Sequence, residues 1–196
     1  MISLSQGKKL IKLARDSISS NFSDSNVIVS DSIKKEFSDV LGVFVTLNKG
    51  GMLRGCIGFP EAVYPLYEGV IKAAQSAAFS DPRFKPVDKS EFKDVSIEVS
   101  VLTKPKLVEV NDASEYVKKV KVGKDGLIVR SNYGSGLLLP QVATEYKWDS
   151  KVFLDQTCVK AGLPADSWSK GSVEVYKFQS QVFSEVSPRG KVTQLL

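Results

Sequence analysis

Histidine is missing from this 196-residue chain, and that absence removes a set of chemistries at once. There can be no Ser-His-Asp or Cys-His catalysis, no imidazole metal ligand, and no side chain whose ordinary pKa lies near neutrality. Cysteine is scarce: Cys56 and Cys158 lie far apart and outside any CxxC, so neither a disulfide framework nor a tetrahedral zinc site can be drawn from them. No window approaches the roughly 18 consecutive apolar residues of a membrane span. The opening MISLSQGKKLIKLARDS turns polar too early for a secretory leader. The expectation is a cytoplasmic protein with two reduced thiols.

What is present is ordinary for a globular domain, with 42% hydrophobic and 25% charged residues. The net charge is +5 with a pI near 9.1. The lysines are dispersed, as in Lys8, Lys9, Lys12 and Arg15, and read as a solvated helix face. No run of aromatic and basic residues on a strand supports a nucleic-acid surface, so binding to nucleic acid is not expected.

Leu10, Ala14, Ile18 and Phe22, with Leu13 alongside, predict an amphipathic helix over 3–22, capped by Ser3 or Ser5. SDSIKKEFSDV reads as a polar connection with one helical turn. VFVTLN (43–48) and residues 52–58 predict strands joined by the glycine-bearing turn LNKGGML. Leu66, Val70, Ala73, Ala74, Ala77 and Ala78 share one side of an alanine-rich helix that ends at Ser80-Asp81-Pro82.

VSIEVSVLT (95–103) alternates as a half-buried strand. Beyond the KPK breaker come a helix in DASEYVKKV, a GKDG turn and the strand GLIVR. GSGLLLPQVATEYKWD begins as a flexible loop and becomes helical from Pro140; VFLDQTCVKAGL is a further helix. SVEVYKFQSQVFSEV reads as one long strand followed by a polar tail. The fold class is α+β, with a mixed or mostly antiparallel sheet and packed helices. A doubly wound parallel sheet is disfavoured because no GxGxxG follows a strand.

Three stretches could carry chemistry. In MLRGCIGFP (52–60), simple strand alternation puts Met52, Arg54, Cys56 and Gly58 on one face and Leu53, Gly55 and Ile57 on the other. Arg54 and Cys56 would then lie about 7 Å apart at their Cβ atoms. A cation at that range favours a thiolate by at most about 2 kcal/mol, enough to bring the thiol towards neutral pH. Gly55 and Gly58 let a ligand approach the strand, or equally a helix. Cys56 is therefore either a nucleophile or a small buried side chain.

SDPRFKP (80–86) places Asp81, Arg83 and Lys85 between prolines, which suits either a ligand loop or a rigid turn closed by an Asp81–Arg83 pair. GKDGLIV puts Lys124 and Asp125 at a turn tip. GSGLLLP lacks the P-loop lysine. Trp148, Trp168 and Phe153 read as packing aromatics.

Taken together, LRGCIG (53–58), DPRF (81–84), EVSVLT (98–103) and LLPQVATEYKWD (138–149) closely resemble the AMMECR family over nearly the whole chain. That resemblance implies one α+β domain, 1–196, of two unequal subdomains with a groove between them. The smaller would span about 43–90 and the larger 1–42 with 91–196.

The resemblance singles out LRGCIG as the suspected functional surface. It implies binding roles for Leu53, Arg54, Gly55, Ile57, Gly58, Asp81, Arg83, Phe84 and Asp125, with Cys56 as the candidate catalytic thiol. It implies no metal, an unknown cofactor and no established reaction. Fused or neighbouring Memo-type and radical-SAM proteins are the implied partners. Where many relatives carry histidine in a VGxHG turn, this chain has Asp125, which puts an imidazole-dependent reaction in doubt. The expectation is a ligand- or partner-binding module, with a thiol enzyme as the alternative and a weak nucleic-acid binder as a second.

Overall fold

The computed structural model describes residues 1–23 and 25–195. They form two compact units, one of 1–102 with 181–196 and the other of 103–180.

In the first unit, helix α1 (Leu4–Asn21) starts at a capping box: the Ser3 side chain accepts from the Gln6 amide while the Gln6 side chain accepts from the Ser3 amide. Its stripe of Leu10, Ala14 and Ile18 is fully buried. The short helix α2 (Asp31–Glu36) is capped by Ser30. Strands β1 (Gly42–Lys49) and β2 (Met52–Phe59) are joined by Gly50 and Gly51 at φ +59° and +79°, the left-handed pair that a two-residue hairpin turn requires.

Helix α3 (Leu66–Phe79) follows, then strand β3 (Val95–Leu102). Val43, Val45 and Leu47 of β1 and Ile97 and Val99 of β3 pack with Val70, Ala73, Ala74 and Ala77 of α3 in one core. Each buried Val or Leu contributes about 1.5–3 kcal/mol of transfer free energy.

In the second unit, strand β4 (Lys106–Leu107), helix α4 (Glu115–Lys119), the hairpin of β5 (Gly126–Ser131) and β6 (Gly134–Leu138), helices α5 (Pro140–Glu145) and α6 (Ser150–Lys160), and strand β7 (Glu174–Phe178) surround a core of Leu127, Val129, Phe153, Leu154, Cys158 and Val175. The chain then returns through β8 (Ser180–Glu185) and closes with β9 (Val192–Gln194). The sheets run β2-β1-β3-β8-β9 and β4-β7-β5-β6. The pairings β1/β2, β1/β3, β8/β9, β4/β7, β5/β6 and β5/β7 are antiparallel, so the α+β class with a mostly antiparallel sheet holds.

Four expectations need correction. Residues 43–90 are not a subdomain of their own: β1, β2 and α3 share one core with α1 and β3, and the units divide after Leu102 and after Ser180. GSGLL is strand β6, not a loop. A Cβ on Gly136 would lie 2.4 Å from the Ala161 nitrogen, so its glycines admit the end of α6 against the strand.

The single long strand expected over 172–186 is two strands serving two sheets, broken at Gln179. There the Gln179 amide donates to Thr103 Oγ1 and the Thr103 amide to the Gln179 carbonyl. Finally, the polar tail contributes β9, paired with β8.

Candidate functional site

β2 is an edge strand of its sheet, and an edge strand presents a row of main-chain groups that need partners. The hairpin alone would place Lys49 opposite Met52 and count back to Thr46 opposite Gly55. A β-bulge intervenes. Asn48 pairs with Leu53 and Leu47 with Gly55, so Arg54 is the extra residue and Thr46 falls opposite Cys56.

The bulge overturns the simple alternation at its start: Gly55, not Arg54, lies across from Leu47, and Leu53, across from Asn48, is exposed. Arg54 leaves the strand pattern: its guanidinium binds Glu91 at 2.5 Å and the Lys85 carbonyl at 2.9 Å. Lys49 completes this group at 2.8 Å from Glu91. Burial raises the cost of charge on Glu91, but the hydrogen bonds from Arg54 and Lys49 outweigh it and hold the carboxyl below its usual range.

The DPRF loop performs the task an adjoining strand would perform. Asp81, with its side chain only 2% exposed, accepts from the Cys56 amide at 2.8 Å, while Arg83 donates to the Cys56 carbonyl at 3.2 Å. The two side chains hold each other through Arg83 Nε to Asp81 Oδ1 at 3.0 Å and Arg83 NH2 to Oδ2 at 2.7 Å, and the Arg83 amide also donates to Oδ1. This bidentate pair clasps the free edge of β2 at Cys56. The hydrogen bond from Arg83 holds the Asp81 carboxyl far below the ordinary carboxylate range. Phe84 lies beside both guanidiniums, with its ring centre 5.8 Å from Arg54 and 5.5 Å from Arg83.

Cys56 itself is half-buried and unpaired. Its sulfur accepts a hydrogen bond from Thr46 Oγ1 at 3.3 Å. Burial pushes the thiol up; the Thr46 hydroxyl and Arg83 pull it down, Glu98 and Asp81 add to the rise, and the net direction is upward. Arg54 is not among these influences, so it does not lower the thiol pKa as strand alternation suggested. Glu98 is near because β1 pairs Thr46 with Cys56 on one side and with Glu98 on the other. Cys56, Thr46 and Glu98 therefore form a row across three strands.

The glycines are occupied by the protein. A Cβ on Gly55 would meet the Ala77 carbonyl oxygen of α3 at 2.2 Å, and one on Gly58 the Phe44 ring at 2.4 Å. They permit internal close approach of helix α3 and of the Phe44 ring to the strand. Ile57 packs on the first unit's core. The fold thus brings together Leu53, Arg54, Gly55, Cys56, Ile57, Gly58, Asp81, Arg83 and Phe84.

Asp125 belongs to the other unit and is buried there. It accepts from the Lys121 amide at 3.0 Å and from Gln179 Nε2 at 3.4 Å, with Lys177 Nζ at 3.5 Å, the role of a turn-closing carboxylate. Thr46 and Glu91 were missed in sequence, and Lys85, singled out with its loop, enters through its carbonyl. Hairpin counting assigns Thr46 to Gly55, and only the bulge corrects it; Glu91 carried no local signal. No group of three or more Cys, Asp or Glu side chains among the described residues is arranged to hold a metal ion.

With this geometry in view, comparison with known proteins is decisive. The AMMECR1 family model matches residues 11–183. The chain belongs to the AMMECR1 family. A protein of Methanothermobacter thermautotrophicus is 49% identical over 185 residues, covering 94% of this chain and 96% of the relative. One from Methanococcus aeolicus is 46% identical, covering 98% of each.

Among solved structures, the uncharacterised PH0010 protein of Pyrococcus horikoshii superposes with a TM-score of 0.90 at 44% identity, covering 98% of both chains. In this chain LRGCIG and DPRF are the edge strand and the loop that clasps it. No helix among the described residues is long and apolar enough to cross a membrane.

Proposed function

We propose that this AMMECR1 protein is a cytoplasmic binding module whose working surface is the clasped LRGCIG edge, and that Cys56 is not a nucleophile. The observation that carries this reading is the Asp81–Arg83 clasp on the Cys56 backbone beside a thiol whose pKa is raised. A nucleophilic cysteine needs a lowered pKa or an adjacent base. Here burial, helped by the carboxylates of Glu98 and Asp81, outweighs the pull of the Thr46 hydroxyl and of Arg83 and favours the protonated thiol.

What the surface offers instead is recognition. Leu53 is 43% exposed, Arg83 and Lys85 reach solvent, and the rigid loop fixes their spacing. Memo-type and radical-SAM proteins are the first partners to try, by analogy within the family. Affinity capture from the native organism with wild type, Cys56→Ser and Leu53→Asp tests the reading.

The partner should be retained by Cys56→Ser within about twofold, the scale of a neutral surface change, and lost by Leu53→Asp. Loss with Cys56→Ser alone would instead make the thiol the working group.

A further inference from the structure

Two adjoining grooves in the 103–180 unit have no place in that reading. One, of about 460 Å³, is lined by Leu107, Val108, Glu109, Lys118, Lys119, Lys121 and Lys177. The other, of about 280 Å³, includes Lys104, Lys106, Asp125 and, again, Lys177. Lys177 therefore belongs to both walls.

Cations outnumber carboxylates here: the lining carboxylates are Glu109, which is exposed, and Asp125. Asp125 is buried and committed to the Lys121 amide. Lys119 is paired with Glu115 at 2.7 Å, and Lys177 donates to the Lys119 carbonyl at 2.9 Å. Lys104, Lys106, Lys118 and Lys121 are exposed and form no ion pair among the described residues. Four unpaired ammonium groups along the two adjoining grooves, against the single exposed carboxylate of Glu109, favour an anionic partner.

The floor also has an open strand edge. β4 is the outermost strand of its sheet, pairing Lys106 with Lys177 and Leu107 with Tyr176. The Val108 amide donates to the Val175 carbonyl. By strand alternation, the amide and carbonyl of Leu107 then point to the unpaired side. The Leu107 side chain is 47% exposed.

We propose that this face binds an extended acidic segment of a partner protein, added alongside β4. The segment's backbone would pair with Leu107, its apolar side chains would lie on Leu107, and its carboxylates would meet Lys104, Lys106, Lys118 and Lys121. Single-stranded nucleic acid fits less well: neither groove is lined by an exposed aromatic ring on which a base could stack. The surface is independent of the LRGCIG edge, so either reading can fail without the other.

The test uses the full chain and a fluorescent peptide of alternating Glu and Val, read by anisotropy at low and at raised salt, with an oligothymidylate as competitor. Lys118→Glu with Lys121→Glu should weaken peptide binding at least about tenfold, or about 1.4 kcal/mol. Lys147→Glu with Lys160→Glu, the same charge change elsewhere in the unit, should leave it within about twofold.

Leu107→Pro removes the outward amide, a change that an edge strand tolerates, and should also weaken binding while leaving oligonucleotide binding unchanged. No peptide binding at low salt overturns the proposal, as does equal loss in the control variant. Tighter binding of the oligothymidylate than of the peptide overturns the choice of partner. Full affinity in a folded Leu107→Pro variant overturns docking along the strand.

Discussion

At the scale of single residues, Asp81 carries the most structure for its size. It satisfies the Cys56 and Arg83 amides and the Arg83 guanidinium from a position almost closed to water. Asp81→Asn should cost about 1–3 kcal/mol, the range for leaving a buried group without its partner.

The pH dependence follows from the sign of the shift. The folded-state pKa of Asp81 is depressed, so its stabilisation is fully present above the unfolded carboxylate value near 4 and drains away as pH falls below it. Denaturant unfolding of wild type and Asp81→Asn at several pH values checks this: the gap between them should be largest near neutrality and shrink in acid. The Asp81–Arg83 pair was legible in sequence, because a single proline, Pro82, separates two opposite charges and bends the chain between them. That the pair clasps Cys56 was not, since 25 residues separate Asp81 from Cys56 and no local pattern connects them.

At the scale of elements, the LRGCIG strand is shaped by one bulge and one helix. The hairpin, the alanine-rich helix and the alternating strand 95–102 were legible because each follows a single period from end to end. The bulge at Arg54 was not, and it changed the site: Arg54 was expected beside the thiol and instead holds Glu91 and the Lys85 carbonyl. Periodicity also merged β7 with β8, because two strands separated by Gln179 keep one alternating rhythm while entering different sheets.

Gly55 shows what the alanine-rich helix requires. Gly55→Ala would press a methyl group into the Ala77 carbonyl and force α3 away from β2. The expected loss is about 1–3 kcal/mol, read as a fall in the unfolding midpoint. Full stability in this variant would mean that α3 does not pack as described.

At the scale of the whole molecule, the chain divides into two cores, and sequence placed that division wrongly. Hydrophobic patterning identifies which residues are buried but not which buried groups share a core. The boundary at Leu102 lies at the end of β3, where the largely exposed Thr103-Lys104-Pro105-Lys106 reads as an ordinary loop and not as a division between cores. The missing histidine has a global consequence too. With carboxylates ordinarily titrating near 4 and thiols above about 8, no side chain changes charge by its ordinary pKa in between. Stability should therefore be nearly flat from about pH 5.5 to 7.5; a marked slope there, in thermal unfolding across that range, would contradict the reading that no side chain titrates in that window.

The central claim, that the LRGCIG cysteine is a protonated, hydrogen-bonded side chain on a clasped strand, reduces to the acidity of one thiol. The direct measurement is the alkylation rate of Cys56 against pH in native protein, resolved from Cys158 by peptide mass spectrometry and compared with a free cysteine peptide. The account predicts a Cys56 midpoint above that of the free peptide, moved lower when Glu98→Gln removes one of the charges that raise it. A midpoint at or below the free thiol would contradict it and return Cys56 to the role of a reactive nucleophile.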